Sequence, residues 1–186
     1  MSFRAFISAD IDSNPLIENF SKALQNTGAR LKAVRMEQIH MTLKFLGPTE
    51  EELVPKIEGL MKEAVTGVKP FEIGFKGTGA FPNMNYIKVV WIGLVNSGPL
   101  AEVSRFLNDE MASLGFKREG RGFSPHVTVG RLKGSKGKEM IQEILSKTKT
   151  ADFGAQTIDR LKLKKSVLES SGPTYSTIAE VPFPTD

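Results

Sequence analysis

The stretch Ile39-His40-Met41-Thr42-Leu43-Lys44-Phe45-Leu46 decides how this chain is read. It alternates with a period of two residues. His40, Thr42 and Lys44 fall on one face, and Met41, Leu43 and Phe45 on the other, as in a half-buried β-strand. A second string, His126-Val127-Thr128-Val129, nearly repeats the first. Together the two strings hold the only two histidines of the protein.

The elements around these strings follow a similar order twice. Phe3 to Ser8 reads as a strand. Residues 15–26 read as a helix, with Asn14 as N-cap, Pro15 at the first position and Gly28 beyond the end. After the first histidine strand, Gly47-Pro48 is expected to end the pairing. Thr49 and Glu52 then form a capping box for a helix to about Ala64. Phe71–Lys76 and Tyr86–Gly93 read as strands, with a turn at Phe81-Pro82-Asn83. Gly98-Pro99 opens a helix to about Leu114, stopped by Gly115. A basic, glycine-rich loop leads into the strand His126–Leu132, and a short helix covers roughly 138–147. Strands near Gln156–Leu168 and Tyr175–Val181 turn at Gly172-Pro173. The pattern predicts an α+β fold: one bilobal domain over 1–186, with pseudo-repeats at roughly 1–95 and 96–186. Each repeat supplies an antiparallel sheet flanked by helices. If the lobes face one another, both histidines meet in the cleft between them.

That meeting has chemical content. On a strand, residues i and i+2 share a face about 6.5–7 Å apart. Histidine exchanges a proton near neutral pH, and threonine offers a hydroxyl to a phosphate oxygen. Two facing copies form a clamp of two proton carriers and two hydroxyls. One imidazole takes a proton from water and the other protonates a leaving oxygen. Such chemistry needs no metal and no cofactor, and no cluster supplies a third and fourth metal ligand. For one string alone, a structural histidine beside a strand threonine explains the residues as well.

Other residues are less decisive. Lys44 either touches phosphate or lies in solvent. Arg131 reaches the cleft only if a twist or a bulge breaks the alternation, and Gly130 permits such a bend. Phe6, Phe81 and Phe123 are candidates for stacking on a base, but core or loop packing explains each equally well. Gly77-Thr78-Gly79 does not open a helix, so it is no nucleotide fingerprint.

Composition sets the bounds. The chain has 186 residues, a net charge of +4 and no cysteine. Disulfides, thiolate metal sites and cysteine nucleophiles are excluded, and a reducing cytoplasm is the expected location. No apolar stretch approaches the roughly 18 residues of a membrane span. The pI of about 9.3 leans toward polyanions. Arg118, Arg121, Arg131, Lys133, Lys136 and Lys138 lie around the second histidine strand, and Lys162, Lys164 and Lys165 form a further set. These read as solvated surface or, near His126, as a rim that attracts phosphate.

The chain resembles the two-histidine phosphoesterase superfamily. Within it, it is most similar to the RNA 2',3'-cyclic phosphodiesterases, also called 2'-5' RNA ligases. The resemblance rests on Phe3-Arg4-Ala5-Phe6-Ile7, His40 through Gly47, Phe81-Pro82, Val89–Gly93 and Phe123 through Arg131. Ser166-Val167-Leu168 and Gly172-Pro173-Thr174-Tyr175 complete it. Val129-Gly130 stands where the family often has Leu-Ala, which touches only local geometry.

The resemblance implies metal-independent opening of 2',3'-cyclic phosphate ends of RNA to 2'-phosphates. His40 and His126 match the catalytic residues, and Thr42, Thr128 and Arg131 those that bind phosphate. It assigns His126 as base and His40 as acid, although the near-symmetry leaves the reverse open. The reverse reaction, 2'-5' joining of RNA ends, is implied as well. Substrates in view are transfer-RNA halves, other cleaved RNAs, small cyclic nucleotides and ADP-ribose cyclic phosphate. A monomer is the default assembly. The competing reading is a non-catalytic module that binds phosphate-ended RNA or nucleotides, motivated by the basic segments.

Overall fold

A computed structural model describes residues 1–169 and 172–185. Nine strands and four α-helices are found among them. In chain order these are β1 (Ser2–Asp10), α1 (Pro15–Gln25), β2 (Leu31–Ala33), β3 (His40–Glu50), α2 (Val54–Ala64), β4 (Phe71–Asn83) and β5 (Tyr86–Val95). There follow α3 (Gly98–Glu110), β6 (His126–Leu132), α4 (Lys138–Lys147), β7 (Asp152–Ile158), β8 (Arg160–Glu169) and β9 (Gly172–Pro182). No helix among the described residues is long and apolar enough to cross a membrane.

The strands form two sheets, ordered β3-β1-β8-β9 and β2-β6-β5-β4-β7, with antiparallel neighbours throughout. The fold is α+β and two-lobed. The expected repeat boundary near residue 95 does not separate the lobes, because each sheet takes strands from both halves of the chain. The hairpin β4–β5 follows the His40 strand in sequence but joins the sheet of the His126 strand. The hairpin β8–β9 follows β6 but pairs with β1, beside β3. This exchange ties the lobes through the backbone.

Helices cover one side of each sheet. Helix α1 buries Ile17, Phe20 and Leu24, spaced three and four residues apart. The Asn14 side chain caps it by accepting the N–H groups of Leu16 and Ile17, at 3.0 and 3.1 Å. Such a cap contributes about 1 kcal/mol. Helix α3 packs on β3, α2 on α3 and β9, α1 beside β2, β6 and β7, and α4 on β4. Between helices and sheets lies a core that includes Ile7, Met41, Ile57, Ile92, Leu107, Val127 and Leu163. The opposite sheet faces line the cleft.

Several local expectations are corrected. Strand β3 runs through Gly47-Pro48 to Glu50, because Ser2–Ala5 of β1 continues to pair with it. It is an edge strand, where proline's missing N–H is tolerated. No capping box forms at Thr49, whose buried hydroxyl donates to the Gly47 carbonyl at 3.0 Å. A 3-10 turn at Glu51–Leu53 intervenes before α2. The turn of the first hairpin lies one step past Phe81-Pro82-Asn83. There the Asn83 side chain accepts the N–H groups of Asn85 and Tyr86. The stretch 156–168, expected as one strand, belongs to two, and the chain changes sheets at Asp159. Short strand β2 was missed. Gly172-Pro173 begins β9, and the residues before it lie outside those described.

Candidate active site

His40 opens β3 and His126 opens β6, and both line one cleft of about 1520 Å³. Thr42, Thr128 and Arg131 line the same cleft. The two histidines are anchored alike. Nδ1 of His40 donates to the Gln38 carbonyl at 2.7 Å, and Nδ1 of His126 to the Ser124 carbonyl at 2.7 Å. A carbonyl only accepts, so Nδ1 keeps its hydrogen and Nε2 is left to exchange protons.

Both rings are held below their ordinary pKa of 6.5. His40 falls to about 4, chiefly because burial disfavours its charged form. The Gln38 carbonyl opposes this, Lys164 reinforces it, Asp10 opposes it and Arg131 reinforces it. For His126 burial again dominates, the Ser124 carbonyl opposes it, and Arg131 adds to it. Near pH 7 both rings of the free enzyme are neutral.

A shared irregularity shapes both strands. Between β1 and β3, Ser8 faces Thr42 but Ile7 faces Lys44, so Leu43 is a bulge. Between β5 and β6, Trp91 faces Thr128 but Val90 faces Gly130, so Val129 is a bulge. Each bulge sits three residues after its histidine and reverses the alternation beyond it. The fifth residue after each histidine therefore returns to the cleft. In β6 that residue is Arg131, which strict alternation had turned away. In β3 it is Phe45, which lines the cleft with 61% of its surface exposed. Sequence reasoning missed Phe45 because the bulge depends on the partner strand. Lys44, two residues after Thr42, turns to the far side and is wholly buried. It neither lines the cleft nor lies in solvent, so both expectations for it are corrected.

The candidate stacking residues have different fates. Phe6 is only 4% exposed. Its ring lies 4.8 Å from His40, 5.0 Å from Tyr175 and 6.4 Å from Phe45. Phe6 borders the cleft, but its observed packing is against these rings, and it supports that of His40. Phe81 lines the cleft and meets His126 edge-on at 5.0 Å. Phe123 lines it too and packs partly against the core. Tyr175 meets His40 edge-on at 5.2 Å. Burial raises the Tyr175 pKa, against the effect of Arg131, so the phenol keeps its proton.

The basic sets divide in the same way. Arg118, Arg121 and Arg131 line the cleft, whereas Lys133, Lys136 and Lys138 do not. Lys162 and Lys164 are not solvated surface. Both pair with Asp10, and Lys162 also with Glu180. Asp10 faces His40 across the β1–β3 ladder.

Trp91 is a further supporting residue not anticipated from sequence. Its ring stands 5.4 Å from Phe81 and 6.5 Å from His126. Gly79 faces it across the β4–β5 ladder, and a Cβ at that glycine would run into the indole. Gly79→Ala is expected to push Trp91 toward Phe81 and His126. Because displacements near 1 Å can cost up to about 10²-fold, any turnover that depends on His126 should fall about tenfold or more. A thermal melt recorded beside the kinetics checks that the fold survives. Unchanged kcat would mean that the indole does not support His126.

The chain as a whole is similar to known proteins. A family model described as the 2'-5' RNA ligase superfamily matches residues 14–166. An RNA 2',3'-cyclic phosphodiesterase of Methanocaldococcus jannaschii is 37% identical over 179 residues, spanning 95% of this chain and 99% of that protein. The one of Methanothermobacter thermautotrophicus is 34% identical over 178 residues, spanning 95% and 96%. Among solved structures, a Thermus thermophilus protein aligns with TM-score 0.76 and 22% identity over 97% of each chain. E. coli LigT complexed with 3'-AMP aligns with TM-score 0.74 and 17% identity, over 98% of this chain and 99% of that one. These two likenesses concern the fold. Sequence and fold together show that the chain belongs to the 2'-5' RNA ligase superfamily and, within it, to the family of RNA 2',3'-cyclic phosphodiesterases.

Proposed function

We propose that this protein opens the 2',3'-cyclic phosphate at an RNA end to a 2'-phosphomonoester. The observation that carries the reading is the matched pair of imidazoles in one cleft. Each is pinned through Nδ1, and each is followed by a threonine on the same face. Curated relatives at 34% and 37% identity carry the name of this activity.

In the proposed reaction water attacks phosphorus. Nε2 of His126 takes the water proton as the new P–O bond forms. The bond to the ribose 3'-oxygen breaks, and His40 gives that oxygen a proton from Nε2. Thr42 and Thr128 donate hydroxyl hydrogen bonds to the non-bridging oxygens, and Arg131 offsets the charge that gathers there. Run backwards, with an RNA hydroxyl in place of water, the same steps join ends through a 2'-5' bond. Phe45 and Phe81 border the cleft as surfaces on which a base can lie. The binding of 3'-AMP by LigT, a protein of the same fold, supports a nucleotide in this cleft. We place the protein in the cytoplasm, since a chain without cysteine suits a reducing compartment. We also take it to act as a monomer, since the cleft is built within one chain.

The test uses an oligoribonucleotide ending in a 2',3'-cyclic phosphate. The expected product carries a 2'-phosphate and a free 3'-hydroxyl. An untouched end, or a 3'-phosphate product, would end the proposal.

The pH dependence adds a second expectation. Turnover needs one ring charged and the other neutral, and kcat/KM reports the free enzyme. That condition is best met between the two pKa values, whichever ring holds the proton. With His40 at about 4 and His126 below 6.5, both limbs of the bell should lie below 6.5. As pH rises past the upper limb the acid loses its proton. As it falls past the lower limb the base gains one. A bound phosphate anion favours charged rings, so the kcat profile should lie at higher pH than that of kcat/KM. A kcat/KM that rises steadily to pH 8 would contradict this.

A further inference from the structure

Among the described residues two lysines are buried without a step in the reaction above: Lys164, which is paired with Asp10 beside His40, and Lys44. The Lys44 side chain has no exposed surface. Nζ donates to Oδ1 of Asn108 at 2.9 Å and to the Lys117 carbonyl at 2.7 Å. Asn108 lies near the end of α3. Its Oδ1 also accepts the Glu119 N–H at 2.8 Å, and its Nδ2 donates to the Glu119 carbonyl at 3.3 Å. Burial pulls the Lys44 pKa down, and the Glu119 carboxylate opposes that pull.

A buried ammonium is costly, and an apolar side chain of the same length usually serves a core as well or better. Packing therefore does not account for this lysine. What the ammonium adds is a grip on backbone. Together with Asn108 it fixes Lys117 and Glu119, within a segment without helix or strand that runs from Gly115 to Pro125. That segment carries Arg118 and Arg121, both exposed and both lining the cleft. Arg118 is also held to α3, through the carboxylate and carbonyl of Asp109. Lys44 itself stands two residues from Thr42. It thus links the His40 strand to the arginine-bearing loop that leads to His126.

We propose that Lys44 is a positioning residue, holding the loop of Arg118 and Arg121 against the cleft so that it grips backbone phosphates of an RNA chain beyond the reacting end. The cleft then prefers oligonucleotide ends to mononucleotides. This inference rests on the cyclic phosphodiesterase reading.

The test compares two substrates, a short oligoribonucleotide with a 2',3'-cyclic phosphate end and a nucleoside 2',3'-cyclic monophosphate. Lys44→Met keeps the stem and removes the charge. Its KM for the oligonucleotide should rise about tenfold, with a shallower fall of log(kcat/KM) against log salt, as expected when one or two phosphate contacts are lost. Its kcat, and its KM for the mononucleotide, should stay within about threefold of the wild type, the pattern of lost uniform binding. Asn108→Ala releases the same loop from its other anchor and should give the same pattern. It decides the matter if Lys44→Met does not fold. Equal losses on both substrates, or an unchanged salt slope, would overturn the proposal. If the wild type turns over neither substrate, the phosphodiesterase reading has failed instead. Anisotropy of the same labelled RNA then tests the loop directly: weaker binding by both variants supports it, and unchanged binding overturns it.

Discussion

His126→Ala should lower turnover of a 2',3'-cyclic phosphate end by at least ~10²-fold, and His40→Ala should do the same, the usual contribution of a general acid or base. The reason lies in the anchoring. Each imidazole is fixed through Nδ1 to a carbonyl two residues upstream, so neither is free to swing over and replace the other. In the proposed reaction their tasks also differ within one step, since one ring takes a proton while the other gives one. The double variant should lose little more than either single variant, because groups that act as a unit are not additive. Single-turnover kinetics with circular dichroism as a fold check measures this. Turnover within tenfold of the wild type in either variant would remove that histidine from the chemistry. A binding module predicts another outcome, with RNA affinity unchanged and no turnover even in the wild type.

Arg131→Ala should be the next most damaging change. Charge builds on the non-bridging oxygens in the transition state, and losing one donor aimed at such charge costs about 10²–10³-fold in kcat. Arg131→Lys should recover only part of this, since an ammonium lacks the planar fork. A second readout is specific to this arginine. Its charge lowers the pKa of both His40 and His126. Removing it lets both rings hold protons to higher pH, so both limbs of the kcat/KM bell should move up. Loss of activity with an unmoved bell would mean that Arg131 acts on the substrate without facing the histidines.

Much of the secondary structure was legible because it depends on near neighbours. Asn14 with Pro15 marks the start of α1, Gly115 closes the turn after α3, and the bounds of β6 and α4 are those expected. The failures share a cause. Gly47-Pro48 looks like a stop, yet β1 goes on pairing beside it. Residues 156–168 look like one strand, yet the chain crosses from one sheet to the other at Asp159. The histidines and threonines were legible as chemistry because two near-copies of one string are hard to explain by packing alone. Phe45, Trp91 and the buried state of Lys44 were not, since each is set by residues far away in sequence.

From its sequence alone this chain declared its α+β class, the Asn14 cap of α1 and two strands each carrying a histidine and a threonine on one face. Alternation and capping are local, so they can be read along the chain. The tertiary structure decided which hairpin joined which sheet, and it placed both imidazoles in one cleft. It also placed a bulge three residues after each histidine, which brings Arg131 and Phe45 in and turns Lys44 away. A bulge is a mismatch in residue count between two paired strands, so neither strand alone can specify it.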